Sequence, residues 1–281
     1  MVTSKQKPRS RPAKKRPVPP NRQAREAASA AAARRRGRRN RVVVAGFLAI
    51  VLIGGIAILV GGGGTTTVST GPTTTAAPTP VSLPKPPDGA TITGDTPCPK
   101  PDGTSPRTLH FAKPPPSCIS PARTYTADIR TSMGTITVAL DPKDAPTAVN
   151  NFVVLARYHY FDGIAFHRII PGFVIQGGDP LETGLGSPGY KFDDELPKGA
   201  AASYKVGSLA MANSGPNTNG SQFFIVSGDT GAQLQALYSL FGQATPESLD
   251  VIKKIDAAGS ADQSGAPTAV VTIESVTIKE S

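Results

Sequence analysis

Phe166-His167-Arg168-Ile169-Ile170-Pro171-Gly172-Phe173-Val174-Ile175-Gln176-Gly177-Gly178-Asp179 is the stretch on which the reading of this chain turns. Two short β-type runs flank a Pro-Gly turn, and Arg168 and Gln176 interleave with apolar residues at near-alternate positions. The theme returns in Met211-Ala212-Asn213-Ser214-Gly215-Pro216-Asn217-Thr218-Asn219-Gly220-Ser221-Gln222-Phe223-Phe224-Ile225. The residue types exclude several chemistries. His159 and His167 stand in neither H-x-x-x-H nor H-E-x-x-H spacing, so no metal site is expected. Ser221 sits in N-G-S-Q-F, not in a G-x-S-x-G elbow, and no cysteine of the segment is available as a nucleophile. Gly177-Gly178-Asp179 and glycines 184, 186 and 189 lack a Walker lysine or Rossmann order, which argues against phosphate binding. Asp193, Asp194 and Glu195 read as a solvated loop.

Outward from these stretches, residues 124–281 alternate in short segments. Tyr125–Thr131 and Thr135–Leu140 follow period two around Ser132-Met133-Gly134, a hairpin signal. Val149, Phe152, Val153, Leu155 and Ala156 recur at helical spacing, with Asp144 a candidate cap before Pro146. Strands are expected at 173–176, 207–211, 223–226 and 269–278. A second helix is expected over 246–257, capped by Thr245, with Pro246 at its first position. Many short strands and two helices predict a mainly β fold: a closed antiparallel eight-stranded barrel whose ends the helices plug, leaving no open edges.

The two long stretches make residues 124–281 resemble the cyclophilins, peptidyl-prolyl cis–trans isomerases. On that resemblance Arg168 is the catalytic residue, and Phe173, Phe224 and Leu234, with Val174 beside them, form the proline pocket. Gln176, Ala212, Asn213 and Gln222 bind the substrate backbone, and His167 lies in the groove. Gln233 stands where many members carry a tryptophan and Tyr238, at the pocket, where many carry a histidine. The resemblance therefore carries over neither cyclosporin sensitivity nor substrate preference. The loop 181–188 is more similar to bacterial members. Without the resemblance, Phe173 and Phe224 read as barrel core and Arg168 as a surface ion-pair residue. The implied enzyme needs no cofactor and takes proline-containing polypeptides. The rival is an anchored proline-peptide binding module or scaffold with little turnover.

The remaining chain sets the context. The net charge of +10 over 281 residues is concentrated in residues 1–41, which hold 15 of the 30 Lys+Arg and one of the 20 Asp+Glu. This tail reads as disordered and cytoplasmic. Val42 to Val60 is 19 residues without a charge, long enough as a helix to cross the roughly 30 Å hydrocarbon core. A retained single-pass anchor fits better than a cleaved signal peptide, because the basic stretch is long and no A-x-A site follows. The basic flank then puts the N-terminus in the cytoplasm and residues 124–281 outside the cell membrane. With that context, nucleic-acid binding by the tail is the lesser reading. Residues 61–123 hold 14 of the 28 prolines and read as an extended Thr/Pro-rich linker. Its Cys98 and Cys118, the only cysteines, are disulfide candidates in an extracytoplasmic setting.

Overall fold

The period-two run at the head of the domain forms a hairpin: β3 (Tyr125–Thr131) pairs in antiparallel register with β4 (Gly134–Leu140). It belongs to the computed structural model, which describes residues 81–199 and 203–281. Before the hairpin come β1 (Ala90–Ile92) and β2 (Thr108–Phe111). After it run α1 (Pro146–Arg157), β5 (Arg168–Ile170), β6 (Val174–Gly177), β7 (Ser208–Met211) and β8 (Phe223–Val226). The chain ends with the single turn α2 (Asp229–Ala232), β9 (Leu240–Ala244), α3 (Leu249–Asp256) and β10 (Ile273–Glu280). The eight strands from β3 onward form one sheet, ordered β10-β3-β4-β9-β7-β8-β6-β5.

The closed barrel is corrected to a curled half-barrel. Its edges, β10 and β5, share no ladder. A single bridge, Ala165 to Thr272, spans them, flanked by hydrogen bonds from Phe166 N to Val271 O (2.9 Å) and from Ile273 N to Ile164 O (2.9 Å). β5 is three residues long and runs straight into Pro171, which has no N–H to donate, so it cannot support a longer pairing. The two helices plug the curl. α1 packs on β10 and β9, and α3 on β4, β5 and β6. Phe152 of α1 enters the core against Phe161, Phe223 and Phe241, with ring centroids 5.1–5.5 Å apart.

Helix starts differ from expectation. Asp144 caps nothing at α1. Instead the carboxylate of Glu195 accepts from Thr147 N and Ala148 N, both at 2.9 Å, so one of the supposed solvated acids acts as a remote cap. The second helix begins as a 3-10 turn at Pro246–Ser248 and becomes α-helical at Leu249.

The linker is the larger correction. From residue 81 onward it is folded on the barrel. β1 and β2 pair in parallel, and Phe111 is fully buried, its ring 5.4 Å from Tyr158 and 6.3 Å from Tyr190. Cys98 and Cys118 are bonded, with Cα atoms 5.5 Å apart. Asn150 of α1 accepts from Cys118 N (2.7 Å) and donates to Pro116 O (2.9 Å), tying the loop to the helix. Composition misled because this segment needs only a few apolar anchors when a ready-made surface receives them. The basic tail at 1–41, the span at 42–60 and the linker to residue 80 lie outside the described residues. Among the described residues no helix is long and apolar enough to cross a membrane.

Candidate active site

Strand register builds the site. Arg168 lies opposite Gln176, Gln176 opposite Phe224, Phe224 opposite Ala210, and Ala210 opposite Leu240. Directly paired residues share a face, so these five form one row across β5, β6, β8, β7 and β9. The next row, Ile169, Ile175, Ile225 and Leu209, faces the other way and lies in the main core. The Phe223-Phe224 pair is divided by the pleat. Phe223 fills the interior, while Phe224 joins a separate apolar cluster with Val174, Tyr204, Ala210 and Val226. Phe173, Ala212, Leu234, Tyr238 and Leu240 are packed against that cluster and only partly buried. Phe173 and Phe224 are therefore not barrel core. They make an apolar floor on the outer face.

The polar side is a chain of side-chain amides. Arg168 Nη1 donates to Gln176 Oε1 (3.2 Å), and Gln176 Nε2 donates to Gln222 Oε1 (3.0 Å). Gln222 Nε2 reaches the carbonyls of Gly184 and Gly186, each at 3.0 Å. Asn213 Nδ2 donates to Leu237 O (3.0 Å), which ties the β7 exit to the loop before β9. The Arg168 guanidinium carbon lies 5.9 Å from the centroid of the Phe173 ring, within cation–π range. Burial draws the Arg168 pKa below its ordinary value, and Tyr238 opposes this. The group stays charged. Tyr238 stands edge-on to Phe224 at 5.2 Å.

Two residues outside the quoted stretches hold this arrangement. Tyr204 donates its hydroxyl to Tyr238 O (2.9 Å) and accepts from Tyr238 N (3.1 Å), fixing the far wall. Gly265 accepts from Ile169 N (2.9 Å) with φ +85°. A Cβ there would lie 3.0 Å from Arg168 Cγ and 3.5 Å from Nε, so the bare backbone is the shelf on which the Arg168 stem rests. Neither residue carried a sequence signal, since one acts through a lone tyrosine and the other through backbone.

The Gly-Gly-Asp run also has a structural cause. A Cβ on Gly178 (φ +80°) would meet Ser221 O at 2.5 Å. Asp179, fully buried, accepts from the backbone of Leu181, Thr183 and Gly184 and so shapes the loop beside the groove. His167 faces that loop. Its ring nitrogens are buried without a partner among the described residues. Burial lowers its pKa, with Asp179 opposing and Arg168 reinforcing the shift. Cys98 and Cys118 belong to the N-terminal segment and take no part in the row. No group of three or more His, Cys, Asp or Glu able to hold a metal occurs among the described residues.

The arrangement offers one fixed cationic donor fork above an apolar floor, edged by amide groups that bond backbone. It contains no nucleophile–base pair. The family model for cyclophilin type peptidyl-prolyl cis-trans isomerase/CLD matches residues 126–278. The chain is 44% identical over 175 residues to the peptidyl-prolyl cis-trans isomerase A of Mycobacterium tuberculosis, an alignment covering 57% of this chain and 94% of that one. It is 41% identical over 171 residues to the peptidyl-prolyl cis-trans isomerase B of Streptomyces anulatus, covering 54% and 95%. Among solved structures, a cyclophilin type peptidyl-prolyl cis-trans isomerase of Cryptosporidium parvum superposes with a TM-score of 0.51 at 34% identity. That match covers 56% of this chain and 98% of the other. The chain belongs to the cyclophilin-type peptidyl-prolyl cis-trans isomerases and is an enzyme of that class.

Proposed function

We propose that Arg168 accelerates rotation about Xaa-Pro bonds by donating a hydrogen bond to the prolyl nitrogen. Amide resonance sets a barrier of about 18–20 kcal/mol, and uncatalysed exchange takes tens of seconds or longer. Twisting the bond breaks conjugation and leaves a lone pair on the nitrogen. A guanidinium placed to meet that lone pair binds the twisted state better than either planar one, which is what lowers the barrier. Phe173, Phe224 and Leu234 grip the pyrrolidine ring. Gln176, Gln222, Ala212 and Asn213 hold the peptide backbone while the other half turns. The observation that carries this reading is that Arg168 shares a row with Phe224 and lies 5.9 Å from the Phe173 ring.

Isomerisation of an Ala-Pro test peptide by the full chain is the direct test. Arg168→Ala is expected to lose about 100- to 1000-fold in kcat/KM, while still binding a proline peptide. Arg168→Lys is expected to recover little, because an ammonium lacks the planar fork. A wild type that binds the peptide without accelerating exchange would support the binding-module reading instead.

The context proposed for this activity is extracytoplasmic. Residues 42–60 would anchor the chain in the cell membrane, with the basic tail inside and the barrel acting on exported or envelope proteins. The charge of the tail, the uncharged run after it and the bonded pair Cys98–Cys118 support this orientation. Protease added to intact cells should remove the barrel; complete protection would refute the orientation.

A further inference from the structure

A depression beside His167 plays no part in the reaction above. Val81, Leu83, Pro86, His167, Leu181 and Pro267 line it. Half of that wall comes from residues 81–86, which lie outside the family match at 126–278. The strap is fixed in place. Val81 N donates to Pro267 O (3.2 Å), and Pro87 seats where a side chain on Gly163 would be, 2.5 Å from its Cβ position. Arg107, which also bonds His159 O (2.8 Å) and Asp162 O, donates from Nε to Pro87 O (3.2 Å). The charged residues at the rim are already engaged: Lys85 pairs with Asp88 (2.8 Å), and the Glu182 carboxylate accepts from Ala165 N (2.7 Å). Most of the lining side chains are apolar, and Leu181 is 64% exposed.

The depression adjoins the Arg168 side of the groove. His167 is the chain neighbour of Arg168, and Ala266 and Pro267 follow the Gly265 shelf that carries the Arg168 stem. Gln222 holds the loop that includes Gly184, whose added Cβ would lie 3.9 Å from His167 Nε2. We propose that this depression is a second subsite of the proline groove, completed by the N-terminal strap, and that it takes a bulky apolar side chain on a residue flanking the proline of the same peptide. The proposal rests on the groove reading above. A concavity lined mostly by apolar side chains is the ordinary form of such a subsite, and a pocket of that kind discriminates between apolar side chains by about tenfold or more.

The test uses the full chain and proline peptides in which each residue flanking the proline is either Ala or Leu. The wild type should prefer Leu at one flanking position by about tenfold in kcat/KM. Leu83→Ser with Leu181→Ser should bring that Leu-to-Ala ratio close to one. Leu83→Trp, which fills the depression without making it polar, should do the same. A wild type indifferent to the flanking residue, or a ratio unchanged in both variants, overturns the subsite while leaving the groove standing. Failure of the groove reading has a different signature: no peptide of the series is isomerised, and Arg168→Ala equals the wild type.

Discussion

Arg168 owes its position to a residue with no side chain. Gly265 lies in the left-handed region, buried, with its carbonyl on Ile169 N and open space only for a hydrogen toward the Arg168 stem. Gly265→Ala should strain the backbone, at about 1 kcal/mol, and displace the guanidinium. A small misplacement of a positioned group costs up to about 100-fold in rate, so a fall of about tenfold or more in kcat with KM little changed is expected. The decisive measurement is a double-mutant cycle with Arg168→Ala. If Gly265 acts through Arg168, its substitution changes nothing further in the Arg168→Ala background; an equal loss in both backgrounds would assign it to the fold alone. At this scale the candidate site was read from family motifs, which named Arg168, Gln176, Gln222 and the phenylalanines. Gly265 and Tyr204 stayed hidden because they work through a backbone atom and a distant hydroxyl, neither of which leaves a pattern in the sequence.

Among the elements, the β3–β4 hairpin was legible from period-two alternation and most other barrel strands from short apolar runs, whereas β9 and the segment before the barrel were not. Residues 81–123 are rich in proline and poor in apolar side chains, which is the usual mark of a chain unable to build a core. Here the core is supplied from outside: Phe111 and Ile119 enter the barrel's own cluster, and the Cys98–Cys118 bond closes the loop that carries Phe111. Composition measures what a segment can bury alone, so it missed a segment that buries itself against a neighbour. A disulfide closing about 20 residues contributes on the order of 3 kcal/mol. Cys98→Ser with Cys118→Ser should therefore lower the thermal midpoint, and reductant should lower the wild type toward the variant without moving the variant. Equal midpoints with and without reductant would show that the segment's packing needs no covalent tie.

For the molecule as a whole, the curl was legible and its closure was not, because closure depends on how far β5 extends before Pro171. Sequence charge was likewise informative only once divided: residues 1–41 hold 15 basic and one acidic side chain, whereas residues 124–281 hold 10 basic and 16 acidic ones. Several of those acids stabilise the seam where the last strand returns to the first. Glu280 at the end of β10 accepts from Arg157 Nη2 (2.5 Å), Tyr125 OH (3.1 Å) and Arg123 Nη1 (2.8 Å), joining β10 to α1 and β3. Arg157 holds its carboxyl below the ordinary value of 4.5, helped by Tyr125 and Arg123 against partial burial. A carboxylate with a depressed pKa in the folded state stabilises the fold above its unfolded value, and that contribution is lost as pH falls through the folded one. Arg157 is only 7% exposed, so Glu280→Gln leaves a covered cation without its partner. The loss at pH 7 should be about 1–3 kcal/mol, read as a lower urea midpoint. The gap between wild type and variant should then narrow as pH falls below about 4.5 toward 3, since the wild-type carboxyl takes up the proton that the glutamine mimics. A gap that stays constant across that range would mean that Glu280 supports the seam by packing, with no contribution from its charge.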